Sequence, residues 1–413
     1  MYLTKEEERM LDGEFGETIA WAMNSLVKMG EIFNAKRMIP IKSAHCSCTA
    51  YTVDGKDAVL EFMKDIANSG LKVKVPSTSQ VISIDLERWK KMNVKEELAK
   101  KQIELIKYHE SIGISPTWTC TPYLVGNIPS KKDSVAWCES SAIIYANSVL
   151  GARTNRECCQ SALFSALTGR VAKYGYHLNH NRKGQLLVKV DVKLKKLNDF
   201  GALGYYVGEI AGLKVPVFEG LQKNLSIEQL KALGSTLATT GGVSLFHIIG
   251  VTPEASSLSK AFQNDKPEDV IHVGKEEIDK VYEEINSTQV KSIDFVYLGC
   301  PHATLNELKI LSTLLEGKLI NEKVKLWITT SRKIKKIAEK QGIALKIEKA
   351  GGLIVCDTCP VVSLELGFKP QVMVTNSVKQ AHYARGVLKV GSIVCDFKKC
   401  IEAAINGGFK NGL

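Results

Sequence analysis

The sequence predicts an α/β protein made of parallel-layered domains. Three observations predict it: a length of 413 residues, and two stretches, one near each end, in which short apolar runs alternate with amphipathic ones. A domain usually takes about 100–200 residues, so the chain should hold two or three. Strands alternating with helices of about 10–15 residues argue for parallel sheets, whose ligand loops lie at the carboxyl ends of the strands.

The elements follow in order. Thr4-Lys-Glu-Glu7 is a capping box that opens a first helix. Residues 14–33 continue with apolar residues at helical spacing: Ile19, Ala22, Met23, Leu26 and Met29. Met38 to Ile41 reads as a strand that delivers Ser43-Ala-His-Cys-Ser-Cys48 into a loop. A helix over 56–69 and a strand from Leu71 to Val75 precede a second polar loop, Pro76-Ser-Thr-Ser-Gln80. Residues 216–290 carry Pro216, Gly220 and another capping box, Ser226-Ile-Glu-Gln229, and read as an intermediate lobe. Beyond it the pattern predicts a strand at 292–298, a helix at 304–316, a strand at 323–328, a helix at 331–341 and a strand from 353. The expected division is 1–215, 216–290 and 291–413.

With 45% hydrophobic and 24% charged residues the chain can bury substantial cores. Its first residues, MYLTKEEERML, lack the basic and then apolar order of a secretory signal. No window approaches the roughly 18 uninterrupted apolar residues of a membrane span. The cytoplasm is the expected compartment, with no membrane partner. The net charge of +11 is spread along the chain, and no nucleic-acid-binding signature accompanies it. Nucleic acid is therefore not an expected partner, while the excess cation suits a small anionic substrate.

Eleven cysteines are many for a chain of this class. A disulfide framework does not fit a long chain without a signal peptide, and most free thiols pack as small hydrophobes. Cys356-Asp-Thr-Cys359 could be a redox pair, half of a metal clip, or two inert thiols. Three segments place a cysteine where a strand or loop meets turn-forming residues: Thr119-Cys120-Thr-Pro122, Gly299-Cys300-Pro-His302 and Asp357-Thr-Cys359-Pro360. Proline fixes φ and removes a backbone donor, which suits close turns around a cluster. Cys300 also precedes a helix, whose positive end favours the thiolate. Three such thiolates could hold an iron–sulfur cluster with one iron free to act as a Lewis acid. A zinc site or three core thiols fit the same pattern.

Other polar stretches are denser than a core requires. Trp137-Cys-Glu139-Ser140-Ser141 leads to Gly151-Ala-Arg153-Thr-Asn-Arg156-Glu157, whose two guanidiniums could fork onto a carboxylate or phosphate, or pair with Glu139 or Glu157. Thr375-Asn-Ser-Val-Lys379 sets a cation among hydroxyls, or is a capped helix start. His45, His302 and His382 are candidate hydrogen-bond donors, although single histidines are more often structural.

Taken together and in this order, TCTPY, WCESSAIIYANSVLGARTNRE, YLGCPHATLNEL, CDTCPVV and TNSVK resemble the catalytic part of the aconitase X family over essentially the whole chain. The resemblance implies aconitase-like three-layer α/β domains around a central cleft. It implies an iron–sulfur cluster, of the [4Fe-4S] type, on Cys120, Cys300 and Cys359, leaving Cys356 as a neighbour. Glu139, Ser140 and Lys379 become expected substrate contacts, joined by Arg153 from the guanidinium pair read above, with Cys48, Thr49, Ala50, Gln80 and Val81 completing the pocket. His45 or His302 would protonate the departing hydroxyl.

Two loops depart from the family pattern. A Gly-containing stretch is expected after the His-x-Ser of the first loop, which here reads Cys46-Ser-Cys-Thr-Ala50, and an Asn-Pro-like pair where Gln80-Val81 stands. These loops should read the substrate's tail. Aconitases close their cleft with a swivelling domain that supplies a serine base. The chain is expected to lack that domain and to receive it from a small partner subunit. The implied activity is a hydro-lyase acting on a small anionic hydroxy acid, best matched by mevalonate 5-phosphate. The alternative within the family is cis-3-hydroxy-L-proline. An alternative of another class is a non-catalytic iron–sulfur regulator or RNA-binding protein.

Overall fold

Hydroxyl-rich Ser77–Ser79 is a strand, flanking Ala44–Cys46 in a parallel sheet whose other edge is Ala136–Trp137. The computed structural model describes residues 1–286, 292–364 and 366–409. The strand tolerates its polar residues because they find partners: Ser79 Oγ donates to Ser115 O at 2.8 Å, and Thr78 Oγ1 meets His45 Nδ1 at 2.9 Å. The two loops expected at 43–48 and 76–80 are thus partly strand. Residues 71–75, expected as a strand, belong to none. Their backbone groups go instead to helix ends, Val73 N to Ile112 O and Lys74 N to Ala166 O, each within 2.9 Å. The predicted helices over 14–33 and 56–69 appear as Glu17–Ile32 and Asp57–Asn68, and the Thr4–Glu7 capping box is formed. Met38–Pro40 is the predicted strand, but it pairs antiparallel with Arg170–Ala172.

The middle sheet is also parallel, in the order His247–Ile248, Pro216–Glu219, Leu186–Val190, Asp269–Val273. The boundary expected at 215/216 therefore falls between two paired strands. Leu186–Val190 is covered on both faces, so its residues show no apolar-polar alternation. The helices Leu197–Ala211 and Ile227–Thr240 pack closely here. Gly204 has no room for a side chain, since a Cβ would lie 2.3 Å from Thr236 Oγ1 and 2.4 Å from Leu233 O.

The C-terminal sheet holds five parallel strands in the order Leu353–Cys356, Lys325–Thr330, Phe295–Leu298, Val372–Thr375, Gly391–Val394. The chain starts at Phe295–Leu298, winds outward on one side, then returns to the other side at Val372–Thr375. A crevice opens at such a switch point, outside the carboxyl ends of the strands. The sheet's core face joins it to the first region: Ile82, Ile84 and Trp118 pack with Phe295, Tyr297, Trp327 and Met373. Among the described residues no helix is long and apolar enough to cross a membrane.

Two stability predictions follow. Gly204→Ala should overpack the helix pair and cost about 1–3 kcal/mol, read as a lower denaturant midpoint; an unchanged midpoint would contradict the close approach. Burial holds His45 and His109 near a pKa of about 4 and His177 near about 3, against an ordinary 6.5. These bases stay neutral in the folded chain while the unfolded chain takes up their protons. Their contribution to stability should be full above pH 6.5 and fall as pH drops toward 4, each of these imidazoles absorbing about one proton on unfolding near pH 5. Equal stabilities at pH 7.5 and pH 5 would refute this.

Candidate active site

The crevice holds a cavity of ≈ 230 Å³ whose wall includes Cys120, Cys300 and Cys359 together. Cys300 follows the strand Phe295–Leu298 and Cys359 follows Leu353–Cys356, both from carboxyl ends. Cys120 comes from the first region. Each cysteine sits one or two residues after a left-handed turn residue: Trp118 (φ 37), Gly299 (φ 95) and Asp357 (φ 67). At Gly299 only glycine fits, because a Cβ would lie 2.2 Å from Thr329 O. All three thiols are half-buried. Cys356 is buried away from the cavity, its backbone N–H donating to Asp85 Oδ2 at 2.8 Å. The C-x-x-C pair is therefore split, with one member in the cavity wall and one in the scaffold.

The charged pair of the cavity is Lys379 and Glu139. Lys379 follows the strand Val372–Thr375 and lies 3.2 Å from Glu139 Oε1, also donating to Ser141 Oγ. Burial opposes its charge, but Glu139 and the nearby thiols hold its pKa above the ordinary value. Glu139 adopts φ 76, strained for a residue with a side chain. That conformation lets Oε2 cap the next helix through Ala142 N at 2.8 Å while Oε1 meets the lysine. Gln80, Val81, Ser140 and His302 line the cavity as expected. Tyr297, Val361, Val362 and Tyr383 line it without having been singled out. Tyr383 stands four residues after Lys379 on one helix face, a spacing that could have marked it.

Other expected contacts lie elsewhere. Arg153 donates to His177 O at 3.0 Å and to Asn179 Oδ1, and it does not line the cavity. Its carbonyl-rich partners could not be foreseen from the Arg-x-x-Arg spacing. Cys48, Thr49 and Ala50 are buried behind the wall and act on it indirectly. Thr49 Oγ1 donates to Val81 O at 2.8 Å, and Gln80 N donates to Cys46 O at 2.9 Å. His45 is also behind the wall, bonded to Thr78.

His302 reaches the cavity, but its ring is occupied. Nδ1 meets Thr119 Oγ1 at 2.9 Å, Nε2 meets Thr358 O at 3.3 Å, and its backbone N–H points at Cys120 Sγ, 3.3 Å away. Burial lowers its pKa to about 4. The proton-donor role expected for it thus meets a neutral ring already spent on joining loops. Below the Cys300 loop, Lys231 Nζ donates to Pro301 O at 3.2 Å, His302 O at 3.0 Å and Glu307 Oε2 at 2.6 Å, with both charged side chains 4% exposed. The Cys359 turn is clamped by Arg332, which pairs with Asp357 and Asp85.

The donor set, three half-buried thiols in one cavity wall, suits a sulfur-ligated metal group such as an iron–sulfur cluster. Burial pushes the Cys120, Cys300 and Cys359 thiols up, Cys359 to about 12, and Cys300 adds repulsion to the other two. Such thiols become thiolates only beside a strong positive charge, which a metal core brings.

Family models for the first, second and third domains of aconitase X match residues 1–180, 184–283 and 293–406. The chain belongs to the aconitase X family. Phosphomevalonate dehydratase large subunit from Methanocaldococcus jannaschii is 42% identical, over 97% of this chain and 100% of its own length. Cis-3-hydroxy-L-proline dehydratase from Pseudomonas aeruginosa is 34% identical, over 98% of this chain and 70% of its own. The crystal structure of Thermococcus kodakaraensis aconitase X in its holo form superposes with a TM-score of 0.89 at 39% identity, covering 98% of this chain and 100% of that one. The α/β fold with parallel sheets is thus that of the aconitase X family.

Lys231→Met should destabilise the chain by about 3–5 kcal/mol, because it leaves Glu307 buried and unpaired. Adding Glu307→Leu should restore most of that loss in thermal unfolding. A single variant as stable as the parent would show that the pair does not support the loop.

Proposed function

We propose that the chain is the large subunit of a dehydratase that removes water from mevalonate 5-phosphate, with Cys120, Cys300 and Cys359 holding a [4Fe-4S] cluster. The observation that carries the reading is the meeting of these three thiols with the Lys379–Glu139 pair in one cavity wall. A cluster with one iron lacking a protein ligand supplies a Lewis acid for a leaving hydroxyl. Lys379, held protonated in place, anchors the substrate carboxylate and stabilises charge that develops next to it when the α-proton leaves. Val81, Val361 and Val362 keep bulk water from the reacting carbons, and Gln80 and Ser140 offer hydrogen bonds that orient the substrate.

Glu139 is engaged by a lysine and a helix N–H, so it is a poor candidate for the base. The base is assigned to a serine of a small partner subunit. That subunit would also bring cations. Among the described residues Lys379 and Glu139 are the charged side chains of the wall apart from the thiols, and they cancel. A phosphate adds about −1.5 to −2 at neutral pH beyond the carboxylate. The same balance favours a second reading, cis-3-hydroxy-L-proline, a substrate without phosphate.

Protein purified without oxygen should be brown, with charge-transfer absorbance in the visible. Cys120→Ser should lose the colour and Cys356→Ala keep it. A colourless parent, or colour that survives in Cys120→Ser, would overturn the ligand assignment. Co-purified with its small subunit, the enzyme should dehydrate mevalonate 5-phosphate; turnover of cis-3-hydroxy-L-proline alone would select the second reading.

A further inference from the structure

A second group of thiols lies behind the Gln80–Val81 wall and takes no part in the proposed reaction. Cys46 and Cys48 are buried in one cluster against which Cys159 packs, and the Cys138 thiol beside them donates to Gln80 Oε1 at 3.8 Å. Cys48 is buried at φ 63, in the left-handed region that favours glycine. Cys159 is half-buried and opens the helix Cys159–Thr168, where the macrodipole favours a thiolate. Its sulfur lies 3.9 Å from Asp54 Oδ1, and Asp54 Oδ2 accepts from Ala50 N at 2.8 Å, so the helix start is tied to the Cys48 loop. Hydrogen bonds from the Cys48 thiol, the Ser47 hydroxyl and the Cys48 N–H keep the Cys159 pKa below its ordinary value, although burial and Asp54 oppose this.

This is how a reactive thiol and its resolving partner are arranged. One sulfur is half-buried at a helix start and faces the Cys48 and Ser47 donors. The other is buried, with its thiol pushed up by a hydrogen bond to Cys159 and by burial. The exposed Cys158 next door lacks this setting; its thiol contacts Gln160 Oε1 at 3.6 Å.

We propose that Cys159 reacts with hydroperoxides and that Cys48 resolves it, closing a disulfide that loosens the Gln80–Val81 wall of the cavity. The Cys159 thiolate attacks one peroxide oxygen, breaking the O–O bond, becoming a sulfenic acid and releasing hydroxide, or alkoxide from an organic peroxide. The Cys48 thiol then attacks the sulfenic sulfur and expels water. Two thiols give up two electrons, and hydrogen peroxide is reduced to two waters. Closure draws the sulfurs to about 2.05 Å. Cys48 carries Thr49 with it, and Thr49 holds Val81. The effect on catalysis rests on the proposed dehydratase reading; the disulfide does not.

The test uses the full chain with its cluster in place, exposed to stoichiometric hydrogen peroxide, quenched with an alkylating reagent and mapped by mass spectrometry. A Cys48–Cys159 cross-link should appear, with two fewer alkylated thiols per chain, both reversed by dithiothreitol. Cys159→Ser should abolish the cross-link and Cys158→Ser keep it. Cys48→Gly suits the left-handed backbone, so it should fold, keep its cluster and lose the cross-link. Linkage through Cys138 or Cys158, or over-oxidised Cys159 beside alkylated Cys48, would overturn the pairing. In the active complex, oxidation should raise KM more than it lowers kcat; an unchanged KM would refute the effect on the wall. A complex inactive before oxidation would sink the dehydratase reading, while the cross-link would still decide the pairing.

Discussion

Three cysteines from distant parts of a chain can serve one inorganic core only if their loops are fixed to each other before the core arrives. Here the fixing element is the imidazole of His302. Thr358 offers it a carbonyl, so Nε2 must carry the proton, and Nδ1 must then accept from the Thr119 hydroxyl. Thr119 in turn accepts from Thr121 N at 3.2 Å. The resulting chain of hydrogen bonds runs in one direction through the Cys120 loop, the Cys300 loop and the Cys359 loop. Each bond polarises the next, and in a buried setting such chains are stronger than their separate members. The chain needs a neutral ring, and burial keeps it neutral with a pKa of about 4.

The rest of the architecture brings those loops within reach of that ring. Two parallel sheets aim their carboxyl ends at the same crevice. The first contributes Gln80 after Ser79 and Glu139 shortly after Trp137; the second contributes Cys300, Cys359 and Lys379. The middle domain supplies the support. Its glycine-lined helix pair lets Lys231 extend under the Cys300 loop, and Val378 packs against the same helices at Gly201. A buried lysine is tolerated there because Glu307 and two carbonyls replace its water.

Much of this was legible in the sequence where local chemistry decides local structure. The capping boxes at Thr4 and Ser226 formed, and the apolar strands at 292–298 and 353–356 were placed to within a few residues, because buried parallel strands read as apolar runs. Turn residues beside Cys120, Cys300 and Cys359 marked the segments that reach the cavity. Legibility failed where long-range partners decide. Ser77–Ser79 is polar yet largely buried, since the Thr78 and Ser79 hydroxyls are satisfied by residues some thirty to forty positions away. Leu71 to Val75 has strand character, yet helix ends take its hydrogen bonds. Arg153 looks like an anion fork, and only the fold shows it bonded to His177 and Asn179. His302 looked like a proton donor because spacing cannot show that both nitrogens are taken.

The cavity's charge is the remaining constraint, and it bears on why an aconitase-type site would be divided between chains. Lys379 keeps its proton inside the protein because Glu139 faces it at 3.2 Å. A further buried cation, placed here to meet a phosphate, would need a further carboxylate to remain folded in the empty state. That carboxylate would then compete with the substrate it was meant to admit. Cations on a separate, solvent-exposed surface avoid the conflict, because water satisfies them until closure brings them and the anionic substrate together. On the proposed reading the open crevice stays nearly neutral, and the charge that would hold a phosphorylated acid comes with the partner's surface.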